Sequence, residues 1–410
     1  MSRILAKFSG LLVLVSLVSF MSAAGVHAGD APADSPVQSL EKAVSAAPDD
    51  PALTFLLAWA RAGAGDTDGA LAALQRTLEN GEGFLPSAQL FPKLKDDARF
   101  AALRERFEAK LPKRVDGEVA FTLSDRELVP EGIAYDAAEH VFYVGGISHK
   151  GVYRLVSEAG MRPLSSPRDK VDSILGIAID SQRRRLYAVS TNGVIDVADK
   201  DRRNAIKVYD LTKWALVSSV DVPGARMLND VAIVPDGTLV VTDSDGGGVW
   251  RVDPEGGTAT ALVALGKAPG ANGVAVPPRG GVAYVASNRR PLRVDLRSGE
   301  VTPLALPPHE NAAAIDGLYW HQGSLIGVQN VTTPARIVRL RLADDGRSIT
   351  AVETLQSHHQ PAFDEPTTAA VAGGSLYVLA RTGLSHYNRK GQFEQRETAQ
   401  PPLILRIRLE

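Results

Sequence analysis

Apolar side chains recur at helical spacing in the first part of the chain and at strand spacing in the remainder. Between about Pro36 and Leu111, Leu53, Leu56, Leu57 and Ala60 fall at i, i+3, i+4 and i+7, the stripe of one helical face. A Gly/Asp turn follows, where Asp66 or Asp68 can cap the next helix, and Leu71, Leu74 and Leu78 line it before Asn80 and Gly81 stop it. A third amphipathic helix carries Phe100, Leu103, Phe107 and Leu111 and cannot continue through Pro112. Beyond the junction at residues 111–116 the helical period disappears. Short runs of Val, Ile, Leu and Tyr then alternate with Gly, Asp, Asn and Pro turns, which predicts many short strands.

Six of these runs share one template: EGIAYDAAEHVFYV, LGIAIDSQRRRLYA, NDVAIVPDGTLVVT, NGVAVPPRGGVAYV, DGLYWHQGSLIGVQ and EPTTAAVAGGSLYV. They start at Glu131, Leu175, Asn229, Asn272, Asp316 and Glu365, and a fixed distance further on stand Tyr143, Tyr187, Val241, Tyr284, Val328 and Tyr377. This pattern fits two antiparallel strands joined by a turn, and a third strand follows in GVYRL, GGVWRVD and ARIVRLRL. Repeats of about 40–50 residues with several strands each are blades of a β-propeller, whose closure protects the sheet edges. The expected fold is mainly β: a six-bladed propeller over residues 116–410 behind a small α-helical domain over residues 36–111. LILRIRL at the C-terminus and GEVAFTL beside the junction are expected to pair and close the ring.

The N-terminus and the composition narrow the setting. Arg3 and Lys7 precede an apolar run, LLVLVSLVSF, and the small-residue stretch MSAAGVHA. This reads as a signal peptide over residues 1–28, cut after Ala28, since the uninterrupted apolar core falls short of the roughly 20 residues that span a bilayer. The mature protein is therefore expected in the periplasm or secreted, without stable membrane insertion. The helix–turn–helix ALTFLLAWARAGAGDTDGALAALQRTLENG resembles a tetratricopeptide repeat, and a helical cap or a protein-docking surface is implied. With Lys+Arg 45 against Asp+Glu 47 there is no basic footprint for a nucleic acid. The absence of cysteine removes disulfides, thiolate metal sites and thiol nucleophiles. No serine-hydrolase elbow, phosphate loop, dinucleotide fingerprint or His-Glu-x-x-His motif occurs.

In a propeller the first strand of each blade lines the central channel, so the residues heading those strands point toward one place. Here they are Glu131, Leu175, Asn229, Asn272, Asp316 and Glu365, five of which offer oxygen. A single Asn-Asp or Asp-Gly at a strand start is turn chemistry; recurrence in phase is not explained that way. Carboxylates converging in a narrow channel repel one another unless a cation neutralises them. Oxygen donors without sulfur suit a hard divalent ion, Ca²⁺ first, with Mg²⁺ or Mn²⁺ of the same class. The expected metal set is Glu131, Asn229, Asn272, Asp316 and Glu365. Loops on the same face would carry specificity, among them His149, Asp243, Asn330, Arg289, His309, His358 and His359.

The motifs PEGIAYD, LNDVAIVPDG, ANGVAV and IDGLYW give the propeller half a resemblance to the gluconolactonase/regucalcin-type (senescence-marker-protein-like) six-bladed lactonases. The resemblance implies metal ligands at Glu131, Asn272 and Asp316, with Asn229 beside the metal contacting substrate or water. Glu365 is outside the family pattern and rests on register alone. The Arg that often precedes the blade-three Asn is replaced by Met227, with Arg226 one step away, and Leu175 stands where related paraoxonases have His. The implied activity is metal-dependent opening of a sugar-acid or related small lactone, with Asn229 toward substrate. Asp316 is expected to serve also as catalytic proton acceptor, and Arg226, one step from the family's position, and His149, in the blade-one loop of the same face, are expected toward substrate. The alternative is a non-enzymatic, metal-stabilised propeller acting as a binding module.

Overall fold

The computed structural model describes residues 34–156, 160–330 and 334–409. The signal peptide expected over residues 1–28 lies outside them. Among the described residues, no helix is long and apolar enough to cross a membrane.

Six four-stranded antiparallel sheets follow one another. Their inner strands are Pro130–Asp136, Ser173–Asp180, Leu228–Ile233, Val274–Ala275, Ile315–His321 and Ala369–Ala372, one per blade. The first five blades are built from consecutive strands. The sixth is closed by the two chain ends: Leu403–Arg408 lies between Ser375–Arg381 and the strand Glu118–Thr122. Val119 pairs with Leu405 and Thr122 with Leu403, so the N-terminal strand completes a sheet begun by the C-terminal one. That pairing is the closure read in the sequence, and it places the N-terminal strand on the outer edge of the sixth blade.

The hydrophobic core lies between neighbouring blades. Tyr143, on the second strand of blade one, packs with Ile174, Ile177 and Leu186 of blade two. Tyr187, one blade further, packs with Val231, Leu239 and Trp250 of blade three, and Tyr284 packs with Ile315 and Leu318 of blade five. The tyrosines that marked the template in sequence are thus the pegs between blades.

Four helices precede the propeller: α1 (Pro36–Ala46), α2 (Pro51–Ala64), α3 (Thr67–Asn80) and α4 (Ala98–Lys110). Ser35 closes a capping box on α1. Asp50, Asp66 and Asp97 accept backbone N–H groups at the starts of α2, α3 and α4. The predicted stripe of Leu53, Leu56, Leu57 and Ala60 faces Leu40 and Val44 of α1. The opposite side of α2, with Phe55, Ala58 and Ala62, packs on α3, Phe91 and α4. A tetratricopeptide assignment is not supported. There is one helix pair with a flanking helix on each side, and the core reaches Ala313 of the propeller instead of a second repeat.

Candidate metal centre on the propeller axis

A ring of backbone contacts brings the strand heads together. In five of the six blades the residue after the head meets the head carbonyl of the next blade, and in blade three the Asp230 carboxylate accepts the Val274 N–H of blade four instead. A Cβ on Gly132 would stand 2.0 Å from the Leu175 carbonyl oxygen, and one on Gly176 2.8 Å from that of Asn229. The Gly273 N–H donates to the Asp316 carbonyl at 2.7 Å and that of Gly317 to the Thr367 carbonyl at 3.2 Å. The Thr368 hydroxyl donates to the Glu131 carbonyl and closes the circle. Glycine is required at several of these positions because the backbones approach too closely for a side chain.

The circle identifies the sixth head as Thr367, not Glu365. Pairing within the sheets agrees, since Ile133 lies opposite Val144 but Ala369 lies opposite Val378, a hairpin two residues shorter. Counting back from Tyr377 with a constant interval therefore overshoots. Glu365 sits in the preceding loop with φ 57°, and its carboxylate accepts the Ser385 N–H at 2.7 Å.

Glu131 is fully buried, and, with the Thr367 hydroxyl near enough only to offset part of its pKa rise, neither carboxylate oxygen makes a well-formed hydrogen bond among the described residues. The same holds for Asn272 Oδ1, Asp316 Oδ1, Asn330 Oδ1 and the Thr367 hydroxyl. Asp316 is held through its other oxygen, which accepts the Asn330 side-chain amide at 2.5 Å. Asn330 Nδ2 also reaches the Pro366 carbonyl at 2.9 Å. Burial, then the nearby charge of Asp316, pushes the Glu131 carboxyl well above the usual carboxylate range. Burial, reinforced by Asp230, pushes Asp316 up to about 7, against the opposing hydrogen bonds of Asn330 and Asn272. Buried polar atoms are ordinarily paired. A cluster of orphaned oxygens next to two destabilised carboxylates is what a hard cation would satisfy, so the donor set fits the divalent ion expected from the sequence.

Asn229 is buried beside this group and donates to the Ser244 hydroxyl at 2.9 Å, which donates on to the Ala271 carbonyl at 2.6 Å. The neighbouring Asp230, not singled out in the sequence, accepts the N–H groups of Val231 and Val274, and burial lifts its carboxyl to about 6. Asn330, expected only as a loop residue of the same face, is the direct partner of Asp316. Its signal in sequence was weak: one amide at the end of a second strand.

Other expected residues are engaged elsewhere. His149 Nδ1 lies 2.6 Å from Asp125 Oδ2, and its side chain is exposed. Arg226 reaches Asp199 at 3.4 Å on the rim, and Met227 is buried. Asp243 holds the N–H groups of Arg226, Met227 and Gly246 and is a structural clamp. Arg289, His309, His358 and His359 bond to the helical segment.

No family model matches the chain. Over 142 residues it is 26% identical to the uncharacterised protein YncE of Escherichia coli K12, a stretch that covers 34% of this chain and 37% of that protein. The chain thus matches well under half the length of that relative. Among solved structures it is similar to a gluconolactonase from Xanthomonas campestris (TM-score 0.48, 16% identity, 72% of this chain and 95% of that one). It is similar also to a calcium-binding regucalcin from Agrobacterium tumefaciens (0.49, 16%, 72% and 95%). The PQQ-bound aldose sugar dehydrogenase of Streptomyces coelicolor is as near (0.49, 15%, 72% and 99%). These neighbours differ in chemistry, and likeness at this level does not choose among them. What the chain's own sheets and site define is a six-bladed propeller with a buried cluster of oxygen donors at its axis.

Proposed function

We propose that this protein is an exported, divalent-metal-dependent hydrolase that opens a sugar-acid lactone or a related small lactone. Glu131, Asn272 and Asp316 would hold the cation, with Asn229 and Asn330 beside it; Ca²⁺ is the first choice for an all-oxygen set. The observation that carries the reading is the group of buried, unpartnered oxygens of Glu131, Asn272 and Asp316. When bound, the cation supplies Lewis acidity toward a carbonyl oxygen and acidifies water.

The chain's own residues supply the remaining requirements. Asn330 fixes Asp316 through one oxygen and leaves the other free. That free oxygen is the position from which Asp316 would accept a proton. In the overall reaction, water adds to the lactone carbonyl carbon, the ring C–O bond breaks and the ring oxygen takes up a proton, giving a hydroxy acid. Export is proposed on the basic, apolar and small-residue segments of the first 28 residues.

The test is hydrolysis of a panel of aldonolactones and aliphatic lactones, followed with a pH indicator, after EDTA and after Ca²⁺ is restored. Activity that needs the cation and disappears in Asp316→Ala is the expected result. Turnover that survives this substitution overturns the assignment, and ion binding without turnover of any lactone supports the alternative of a metal-stabilised binding module.

A further inference from the structure

A second group of ligand-type side chains lies where the helical segment meets the propeller. Glu108 is on the last turns of α4, and His358 and His359 are in the connection from blade five to blade six. His358 Nε2 stands 2.9 Å and His359 Nε2 3.0 Å from the same oxygen, Glu108 Oε1. Among the described residues this is the one set of three such side chains whose ligand atoms all lie within 4.8 Å of one another. The imidazole side chains are mostly buried, at 21% and 23% exposure, and their rings are 4.1 Å apart.

Three features separate this cluster from an ordinary ion pair. Two imidazoles crowd one carboxylate oxygen, where a single ring would satisfy a surface glutamate. Tetrahedral zinc with bonds of about 2.0–2.1 Å sets its donor atoms about 3.3 Å apart, so a small outward shift of the three groups would make room for the ion. One of the rings is also held from behind: the Ser357 hydroxyl is 3.0 Å from His359 Nδ1, on the side of the ring away from the cluster, as in the outer shell of metal-bound imidazoles. The loop that carries them is itself clamped. Ser357 and Gln356 bond to the backbone of Arg114, and Gln356 Oε1 accepts the N–H groups of Asp116 and Gly117. Burial shifts His358 downward in pKa, against the pull of Glu108, which favours the neutral, ligating form.

We propose that Glu108, His358 and His359 form a second metal site, selective for Zn²⁺ and its transition-metal neighbours, that clips α4 to the propeller. Two nitrogens and one carboxylate suit Zn²⁺, Co²⁺ or Ni²⁺ and not Ca²⁺, whereas the axial oxygens have the opposite preference. Water completes the shell. The proposal does not depend on the lactonase reading.

The experiment uses the full, tag-free chain, stripped with a chelator and titrated with Co²⁺ and Zn²⁺ by absorption spectroscopy and calorimetry. The expected result is one equivalent of Co²⁺ with the visible bands of a low-coordinate site, displaced by Zn²⁺ and indifferent to millimolar Ca²⁺. Binding is expected to persist in Asp316→Asn and to weaken by more than about 100-fold in His358→Asn/His359→Asn, beyond the effect of losing an outer partner. Glu108→Gln, which keeps the shape of the side chain, guards against misfolding of the double variant and is expected to weaken binding without altering the far-ultraviolet spectrum. Zn²⁺ affinity unchanged by both variants, or no stoichiometric binding by the wild type, overturns the proposal. Anomalous scattering at the zinc edge, away from these three residues, does the same.

Discussion

Glu131 and Asp316 show how little tolerance a single buried carboxylate has. Each is withdrawn from water, and each is pushed up in pKa by burial and by its acidic neighbours. The consequence for stability has a definite sign. With the folded-state pKa of Asp316 at about 7, above its ordinary value of 3.8, the folded form binds more protons than the unfolded form between those limits. Stability of the chelated protein is therefore expected to fall as pH rises from about 4 through 7, and Ca²⁺ is expected to flatten that dependence by replacing the protons. Thermal melting at pH 5 and pH 8, with EDTA and with Ca²⁺, checks this; a chelated protein equally stable at both would contradict it. Asn330 acts through Asp316, so Asn330→Ala is expected to lower kcat about 10–100-fold, the usual cost of losing a partner that orients a ligand. In the chelated protein the same substitution removes a hydrogen bond that opposes the rise in Asp316's pKa, so the fall of stability with pH should become steeper, which melting at pH 5 and pH 8 checks.

At the scale of the element, the strand starts carry most of what the sequence made legible. Alternation of apolar residues, turn dipeptides and peg tyrosines located the inner strand of every blade, because each obeys a period of two and a local turn preference. Five heads were placed correctly for the same reason. The sixth slipped by two residues, from Thr367 to Glu365, since a hairpin shortened by two keeps the apolar phase and hides the change. The buried far side of α2 was equally hidden, since a stripe of leucines names one face and Phe55, Ala58 and Ala62 become core only when α3 is packed on them. What no local pattern reveals is how tightly the inner strands meet. Gly273 lies where a Cβ would stand 2.3 Å from the Leu318 nitrogen and 2.4 Å from the Asp316 carbonyl oxygen. Backbone cannot yield as a side chain can, so Gly273→Ala is expected to cost at least about 1–3 kcal/mol and to shift the strand that carries Asp316. Urea denaturation reads the first effect and Ca²⁺ affinity the second. Gly257→Ala, at a turn with nothing near its Cβ, is the control for the ordinary cost of alanine at positive φ.

Across the whole molecule, the helical segment is joined to the connections that strand alternation places on the mouth side of blades four and five. The Asp50 carboxylate, only 6% exposed, meets Arg289 at 2.5 Å and Arg290 at 2.8 Å while capping α2. His309 reaches the Asn80 carbonyl at 2.9 Å, Asn311 donates to the Gly83 carbonyl at 3.0 Å, and Ala313 enters the helical core. Residues expected to meet substrate are thus spent on docking, and the strand carrying Asp316 begins two residues after Ala313. Asp50 unites the two halves of this joint, so Asp50→Ala removes a helix cap and two charged hydrogen bonds together, at an expected cost of about 2–4 kcal/mol. Although burial opposes it, the pull of Arg289 and Arg290 leaves the Asp50 carboxyl below its ordinary value. Its contribution is therefore complete above the ordinary carboxylate range and is lost as pH falls through the depressed value. Urea midpoints of the wild type and Asp50→Ala are expected to differ at pH 7 and to draw together toward pH 3. Because the propeller closes on itself through Glu118–Thr122 and Leu403–Arg408, loosening the joint should not open the ring. Limited proteolysis of Asp50→Ala is accordingly expected to cut within residues 36–110 first, with Ca²⁺ uptake at the axis retained. Loss of both together would mean that the helices are part of the ring's own stability.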